Sequence, residues 1–336
     1  MTFRRPPSEK AAPTKVQSAV ELTLFTVFGI SVIVALIGFF AVNSPSHREV
    51  PNSVAAGFAA GRVNVLLIGM TKVPPPDGDG TEMMTDSLTL LSLRPSSHEV
   101  AMMPIPPELW LRVGHFGMHR LASAQSIGES SGYPGEGPAL AIDTIQSATG
   151  QPVHAFLRMD DEALKSVVDA LGGVDVVVRH AFYERHTRRR FARGPIHVDG
   201  ATALLFTSPH VNGRESGRFA REARQQQLLA AVITKLSRSS ADVRARALAV
   251  PATSTTSATN LTRLQLDQLF GAFADGSIRY VSLKPFIDQV EVQSFSEKAG
   301  PAFTPHGGDF TRIRALAGSI FGAQAPTAAA SMVAVR

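Results

Sequence analysis

The longest apolar stretch of the chain runs from Leu22 to Val42, carries no charge, and is interrupted only by Thr23, Thr26 and Ser31. At the rise of an α-helix this run spans roughly 31 Å, enough for the hydrocarbon core of a bilayer. It is longer than the apolar core of a signal peptide, and no clean small-x-small cleavage site follows it. A membrane helix over 21–43 is therefore expected. Arg4, Arg5, Lys10 and Lys15 precede the run and only Arg48 lies close behind it, so residues 1–20 should remain as a cytoplasmic tail. The expected location is the cytoplasmic membrane, single-pass, with the C-terminal domain extracytoplasmic. Residues 44–61 read as a juxtamembrane linker, 62–322 as the extracytoplasmic domain, and 323–336 as a loose tail.

Beyond the linker the periodicity changes. Val63 to Gly69 (VNVLLIG) is an apolar run of strand length, the form of a buried strand. Ser87 to Leu93 alternates around leucine, and Val100 to Ile105 reads as a third strand. Pro138 to Thr149 is helical in pattern and stops at Gly150. Asp161 to Leu171 sets Ala163, Leu164, Val167, Val168 and Leu171 on one helical face and ends at Gly172-Gly173. Val174 to Val178 is a further short strand. Helices are expected over Glu215–Leu236, Leu261–Phe273 and Phe310–Phe321, and a strand over Arg279–Leu283. Pro251 to Thr259, rich in Ser and Thr, reads as a surface loop. Strands alternating with helices predict an α/β layered domain with a central mixed β-sheet flanked by helices.

Composition narrows the chemistry. With 44% hydrophobic and 18% charged residues the body has ordinary globular usage, and the absence of cysteine removes disulfides, zinc–thiolate sites and thiol nucleophiles. The formal net charge of +5 suits a polyanion or an anionic lipid without choosing between them. Arg185 to Arg193 (RHTRRRFAR) is a basic stretch with no apolar periodicity, read either as a solvated loop or as a polyanion contact.

Three features carry candidate chemistry. Arg214, Arg218, Arg221 and Arg224 are spaced so that one helix would gather them into a cationic stripe, with Glu215 and Glu222 placed to neutralise part of it. Guanidinium forks match phosphate oxygens in pairs, which makes the stripe a candidate phosphate site. Asp86, at the entrance of a strand, and Glu108, after Pro106-Pro107, are candidate ligands for a hard cation such as magnesium. Gln225-Gln226-Gln227 offers amide donors directly after Arg224.

These features, in this order, resemble the LytR-CpsA-Psr family. The carrying segments are VNVLLIG (Val63–Gly69), TDSLTLLSL (Thr85–Leu93), MPIPPELWL (Met103–Leu111), HRLASA (His119–Ala124), VVDALGGVDVVV (Val167–Val178), GPIHVDGATALLF (Gly194–Phe206) and AREARQQQLLAAV (Ala220–Val232). The resemblance implies an extracytoplasmic phosphotransferase. Such an enzyme moves an anionic glycopolymer from a polyprenyl-pyrophosphate carrier to peptidoglycan, using a magnesium ion and a hydrophobic groove for the lipid. It further implies that Asp86 stands at the metal, that Arg120 matches the basic residue of a K-I-N-like motif, and that Arg221 and Arg224 match the arginines of a G-R-x-x-R-Q-Q motif followed by Gln225. Arg218 and Arg214 then become candidate substrate contacts and Glu108 a candidate metal ligand.

The chain also departs from that pattern. Pro107 stands where the family has an arginine and Glu108 where it has an aspartate. Met84 precedes the Asp86 motif in place of an arginine, and Ser208 and His210 replace a pair of arginines in FTSPH, where Pro209 would disturb a central strand. Arg218 reverses an acidic position, and Ala122 replaces an asparagine. Two functions stay open: a glycopolymer transferase with an altered arginine set, or a weakened or inactive relative that binds polyprenyl-phosphate lipid or cell-wall polymer. The family's older label, transcriptional attenuator, fits less well, because a tail of residues 1–20 leaves no room for a helix-turn-helix; nucleic acid is not an expected partner.

Overall fold

The structure, a computed structural model, describes residues 50, 52–74, 81–249, 256–271, 276–292 and 300–321. All lie in the second of two compact units, His47–Arg336. The predicted membrane helix lies outside the described residues, and among these no helix is long and apolar enough to cross a membrane.

In chain order the elements begin with α1 (Val54–Ala59), β1 (Val63–Val73), β2 (Glu82–Arg94), β3 (Glu99–Ile105), β4 (Trp110–Arg112) and β5 (Met118–Arg120). There follow α2 (Ser123–Ser131), α3 (Glu136–Thr149), β6 (Ala155–Asp160), α4 (Asp161–Ala170) and β7 (Val174–Val178). Next come β8 (Phe182–Tyr183), β9 (Arg190–Phe191), β10 (Gly194–Val198), α5 (Gly200–Phe206), α6 (Arg218–Arg238) and α7 (Ala241–Ala249). The described chain closes with β11 (Ala258–Thr259), α8 (Arg263–Gly271), β12 (Ser277–Tyr280), β13 (Ile287–Val292), β14 (Gly300–Pro305) and α9 (Thr311–Phe321).

A six-stranded sheet in the order β11-β6-β1-β2-β3-β12 forms the centre. It is mixed: β1 runs antiparallel to β2 and parallel to β6, while β3 runs antiparallel to β2 and parallel to β12. Both faces are covered, so the central strands are apolar at successive positions instead of alternating with polar ones. Leu66, Ile68, Leu88 and Leu90 pack with Leu140 and Ile145 of α3 and with Ile313 and Ile320 of α9. Val65, Leu91, Leu93 and Val100 point to the opposite face, against Ala230 and Ile233 of α6 and Leu266 and Leu269 of α8. A second, smaller core joins α4, β7, β10, α5 and the back of α6 through Val168, Val176, Phe206, Leu228 and Val232.

Several expectations are corrected in detail. Val174–Val178 is a strand, but it pairs with β10 in a separate two-stranded sheet. β6 was missed, because AFLRMD alternates too weakly to separate from the helix that follows. Ala258–Thr259, read as loop, is a short edge strand against β6. No central strand holds Pro209: after α5 the chain passes through a turn there, so the proline disturbs nothing. Gly69 does not end β1. The strand continues to Val73, and its register against β2 shifts between Gly69 and Met70.

Candidate functional site at the head of helix 6

That register shift creates the site. Gly69 faces Ser87 and Met70 faces Thr85, which leaves Asp86 as the extra residue of a β-bulge inside β2, not at its entrance. A bulge bends the strand and turns its extra side chain out of the regular alternation. Gly69 makes the close approach possible, since a Cβ there would lie 2.2 Å from the Ser87 hydroxyl.

Asp86 meets the first turns of α6. Arg221 Nη2 donates to Asp86 Oδ2 at 2.7 Å, and Gln225 Nε2 donates to the same oxygen at 3.2 Å. Arg221 Nε is held by the Thr207 carbonyl at 3.0 Å. Arg221 and Gln225 are one helical turn apart, so both reach the carboxylate from one face. The Arg221 side chain keeps 16% of its surface open and Asp86 21%, so this pair remains reachable from solvent. Nearby, Thr71 Oγ1 donates to Asp161 Oδ2 at 2.6 Å. Burial pushes the Asp161 carboxyl above its ordinary value and the charge of Asp86 adds to this, while the Thr71 bond and Arg221 oppose it.

The four arginines do not form a stripe. Arg214 sits on a 3-10 turn, Gly213–Glu215, before α6 starts, and is exposed. Gly217, with φ 94°, breaks the chain direction between them, a conformation that favours glycine. Arg218 pairs with Glu108, Nη2 to Oε2 2.7 Å, although the two are not aligned as a hydrogen bond. Arg224 turns inward and is only 3% exposed. Its Nε donates to the Phe206 carbonyl at 2.7 Å and its Nη2 to the Ser208 carbonyl at 2.8 Å, while Nη1 is bonded to the Glu215 carbonyl. The Glu215 carboxylate lies 3.4 Å from Nη1 and also holds His180 Nδ1 at 2.9 Å. Arg224 thus acts by positioning: it pins the segment that presents the Thr207 carbonyl to Arg221.

Arg120 is on β5. It stands 6.0 Å from the Trp110 ring and donates to the carbonyls of Gly300 and Pro301 at 3.0 and 3.4 Å. Asp86 and Glu108, expected as joint metal ligands, each face a different arginine. Among the described residues no group of three or more His, Asp or Glu is placed to hold a metal ion. Magnesium commonly uses only one or two carboxylates, with water and substrate phosphate completing its shell. Asp86 lies near enough to Asp161 for its charge to help raise the Asp161 carboxyl, whereas Glu108 faces Arg218.

Two further features were not legible in the sequence. Glu222, a core-facing residue of α6, has its carboxyl pushed up to about 7 by burial, with Arg218 opposing and Glu108 reinforcing the shift. It lines a small open cleft with Ser87, Thr89, Pro107, Gln225 and Gln226. Farther along the same sheet face lies a wholly apolar cavity of about 410 Å³, including its open mouth, lined by Leu67, Leu91, Leu93, Ile233, Leu266 and Phe270 among others. Ser87, Thr89, Leu91 and Leu93 are successive same-face residues of β2, so the strand runs from polar to apolar beneath α6.

A mixed sheet between helical layers, with a bulged aspartate paired to an arginine at the head of α6, defines an α/β protein with a charged end and an apolar flank on one sheet face. The LytR_cpsA_psr family model matches residues 40–292, and the chain belongs to that family. Among curated relatives, the polyisoprenyl-teichoic acid–peptidoglycan teichoic acid transferase TagU of Oceanobacillus iheyensis is 28% identical over 173 residues, 52% of this chain and 51% of TagU. The chain therefore spans about half the length of that relative. Among solved structures, B. subtilis TagV superposes with a TM-score of 0.59 at 21% identity, over 77% of this chain and 97% of TagV. TagT with bound octaprenyl pyrophosphate lipid superposes with a TM-score of 0.55 at 17% identity, over 78% of this chain and 92% of TagT. At these identities the structures establish the shared fold.

Proposed function

We propose that the chain is a cell-envelope phosphotransferase that moves an anionic glycopolymer from a polyprenyl-pyrophosphate carrier to peptidoglycan. The observation that carries this is the Asp86–Arg221–Gln225 cluster at the polar end of a sheet face that turns wholly apolar under α6. A lipid pyrophosphate has the same polarity gradient: a charged head and an isoprenoid tail. The TagU and TagT names support the substrate class by kinship.

In this reading Arg221, with Gln225, holds the pyrophosphate oxygens as charge develops on the leaving group. Catalysis of this type is largely positioning and electrostatic stabilisation. Asp86, with Asp161 beside it, would hold magnesium, which supplies Lewis-acid neutralisation of the phosphates when bound. Thr207 and Asp86 keep the Arg221 fork aimed, and Arg224 keeps Thr207 in place. The run Leu22–Val42 is proposed as the anchor, residues 62–322 as the extracytoplasmic domain, and 1–20, 44–61 and 323–336 as tail, linker and tail. A tether at the bilayer raises the effective concentration of a carrier that cannot leave it.

A second reading, a lipid- or polymer-binding relative with little catalysis, is favoured by one observation: Arg224 has its guanidinium occupied by protein acceptors and has no open edge for a phosphate. The test separates the two. Full-length protein in detergent, given magnesium and a polyprenyl-pyrophosphate glycan with peptidoglycan acceptor, releases polyprenyl phosphate as polymer is attached, and Arg221→Ala loses this. Intact lipid binding without turnover in the unaltered chain would overturn the transferase reading.

A further inference from the structure

The basic stretch 185–193 plays no part in the hydrogen bonds around Asp86, and its loop is tied down by contacts of its own. It forms the tip of the β8–β9 hairpin. Phe182 and Phe191 stack inward, ring centroids 4.7 Å apart, and fix its base on the smaller core. At the tip, buried Glu184 accepts from the Thr187 amide and hydroxyl, each at 2.8 Å, and the Glu184 amide donates to the Arg189 carbonyl at 2.9 Å. Burial works against the Glu184 charge, but the bonds from Thr187 and the His186 amide outweigh it and hold the carboxyl below its ordinary value. Glu184 is thus engaged by the loop's own backbone, and it neutralises none of the arginines by contact.

Arg185, Arg188, Arg189, Arg190 and Arg193 are all exposed, and none forms an ion pair with a described carboxylate. Like charges this close on a well-fixed loop repel each other, and an anionic partner relieves that cost. Guanidinium groups suit phosphate in particular, because their paired N–H donors match its oxygens. The rings of His186 and His210 lie 4.2 Å apart beside them.

The hairpin is also wired to the candidate site. The Arg185 amide donates to the His210 carbonyl at 2.7 Å, and the Tyr183 amide to Asn212 Oδ1 at 2.9 Å. The same short segment carries the Thr207 and Ser208 carbonyls gripped by Arg221 and Arg224. One stretch of chain, Thr207–Asn212, therefore joins the arginine site at one end to the basic hairpin at the other.

We infer that the β8–β9 hairpin is a docking surface for the phosphate-bearing polymer itself, a run of repeating anionic units that extends beyond the pyrophosphate held near Arg221. Spaced, exposed guanidiniums bind a repeating polyanion without reading its sugar identity, so the surface gives affinity and orientation but little selectivity. The inference rests on the transferase reading for the polymer's presence, yet it is read out by binding alone.

The experiment compares full-length protein with two triple variants of equal net charge. One carries Arg188→Gln, Arg189→Gln and Arg190→Gln in the hairpin; the other carries Arg238→Gln, Arg246→Gln and Arg312→Gln on exposed helix positions elsewhere. Each is titrated with lipid-free poly(glycerol phosphate) oligomer and, separately, with phosphatidylglycerol vesicles. The hairpin variant should bind the oligomer about tenfold more weakly, three exposed charge contacts each contributing a factor of a few. Its binding should also depend less steeply on salt. The control variant should change less than twofold. Equal losses in the two variants would reduce the effect to net charge and overturn the inference, as would a hairpin loss confined to the vesicles, which would make this a membrane-facing surface. The transferase reading is decided by release of polyprenyl phosphate in the turnover assay and the hairpin reading by this lipid-free titration, so the two can fail independently.

Discussion

Arg221 Nη2 lies 2.7 Å from Asp86 Oδ2, a contact between residues 135 positions apart that joins the first turns of α6 to a bulge in β2. Both ends are held by other groups, Arg221 by the Thr207 carbonyl and Asp86 by Gln225. The fork is thus held in place by the protein itself, which in the proposed transferase is the condition under which a cation lowers a barrier most.

Arg221 and Arg224 should therefore behave differently when truncated. Arg221→Ala is expected to lower turnover by about 10²–10³-fold, the loss typical of a preorganised charge donor, with little change in melting temperature. Arg224→Ala should destabilise the fold by about 3–5 kcal/mol, because it strips partners from a buried carboxylate and three carbonyls. Denaturant titration beside a turnover assay distinguishes them; matching losses of stability in both variants would count against separate roles.

Glu222 predicts a pH dependence of stability. Its folded-state value is raised from 4.5 to about 7, so the folded protein holds a proton that the unfolded chain has lost across that window. The unfolded state then binds fewer protons, and stability falls as pH rises from about 4.5 through 7, levelling above it. Glu222→Gln should remove this slope and gain up to about 3 kcal/mol over the unaltered chain at pH 8. Urea midpoints at pH 5, 6.5 and 8 read it directly; parallel curves for the two proteins would refute it.

Filling the apolar cavity should block the lipid and spare the fold. Leu269 lines the space beneath α6 and α8, and Leu269→Trp puts an indole into it at a cost of about 1–3 kcal/mol. Polyprenyl phosphate should raise the melting temperature of the unaltered protein and should no longer do so in the variant. Retained lipid stabilisation in the variant would place the tail elsewhere.

Gly173 tests the close packing of the smaller core. Its φ is +83°, and a Cβ would lie 2.3 Å from His197 Nε2 and 2.9 Å from the Val198 carbonyl. Gly173→Ala should cost about 1–3 kcal/mol, while Gly172→Ala, where space is open, costs only its own backbone strain. Thermal melts of the two variants give the comparison.

Much of the architecture was legible before any coordinates. The apolar runs at Val63 and Val100, the alternation around Leu88 and Leu90, the face of Ala163, Val167 and Val168, and the helix stop at Gly150 are local signals, decided by burial and by backbone freedom within a few residues. The residues of the site were legible as types: Asp86, Arg221 and Gln225 were all candidates. Their grouping was not. Whether an arginine reaches solvent or a buried carbonyl depends on where the helix begins, and Gly217 moved that start from Glu215 to Arg218. Without that shift Arg214, Arg218, Arg221 and Arg224 would share a face. With it, Arg214 stays on a turn, Arg218 finds Glu108, Arg221 finds Asp86 and Arg224 goes inside. Pairings between residues distant in the chain leave no periodic trace, because each depends on how two elements lie against each other. The bulge that turns out Asp86 is of the same kind: it is the outcome of pairing β1 with β2, and neither strand carries it alone. The sequence by itself settled the layers and the kinds of side chain available, through local periodicity and composition. Only the tertiary structure decided which arginine meets which carboxylate, since that follows from the packing of α6 across the sheet.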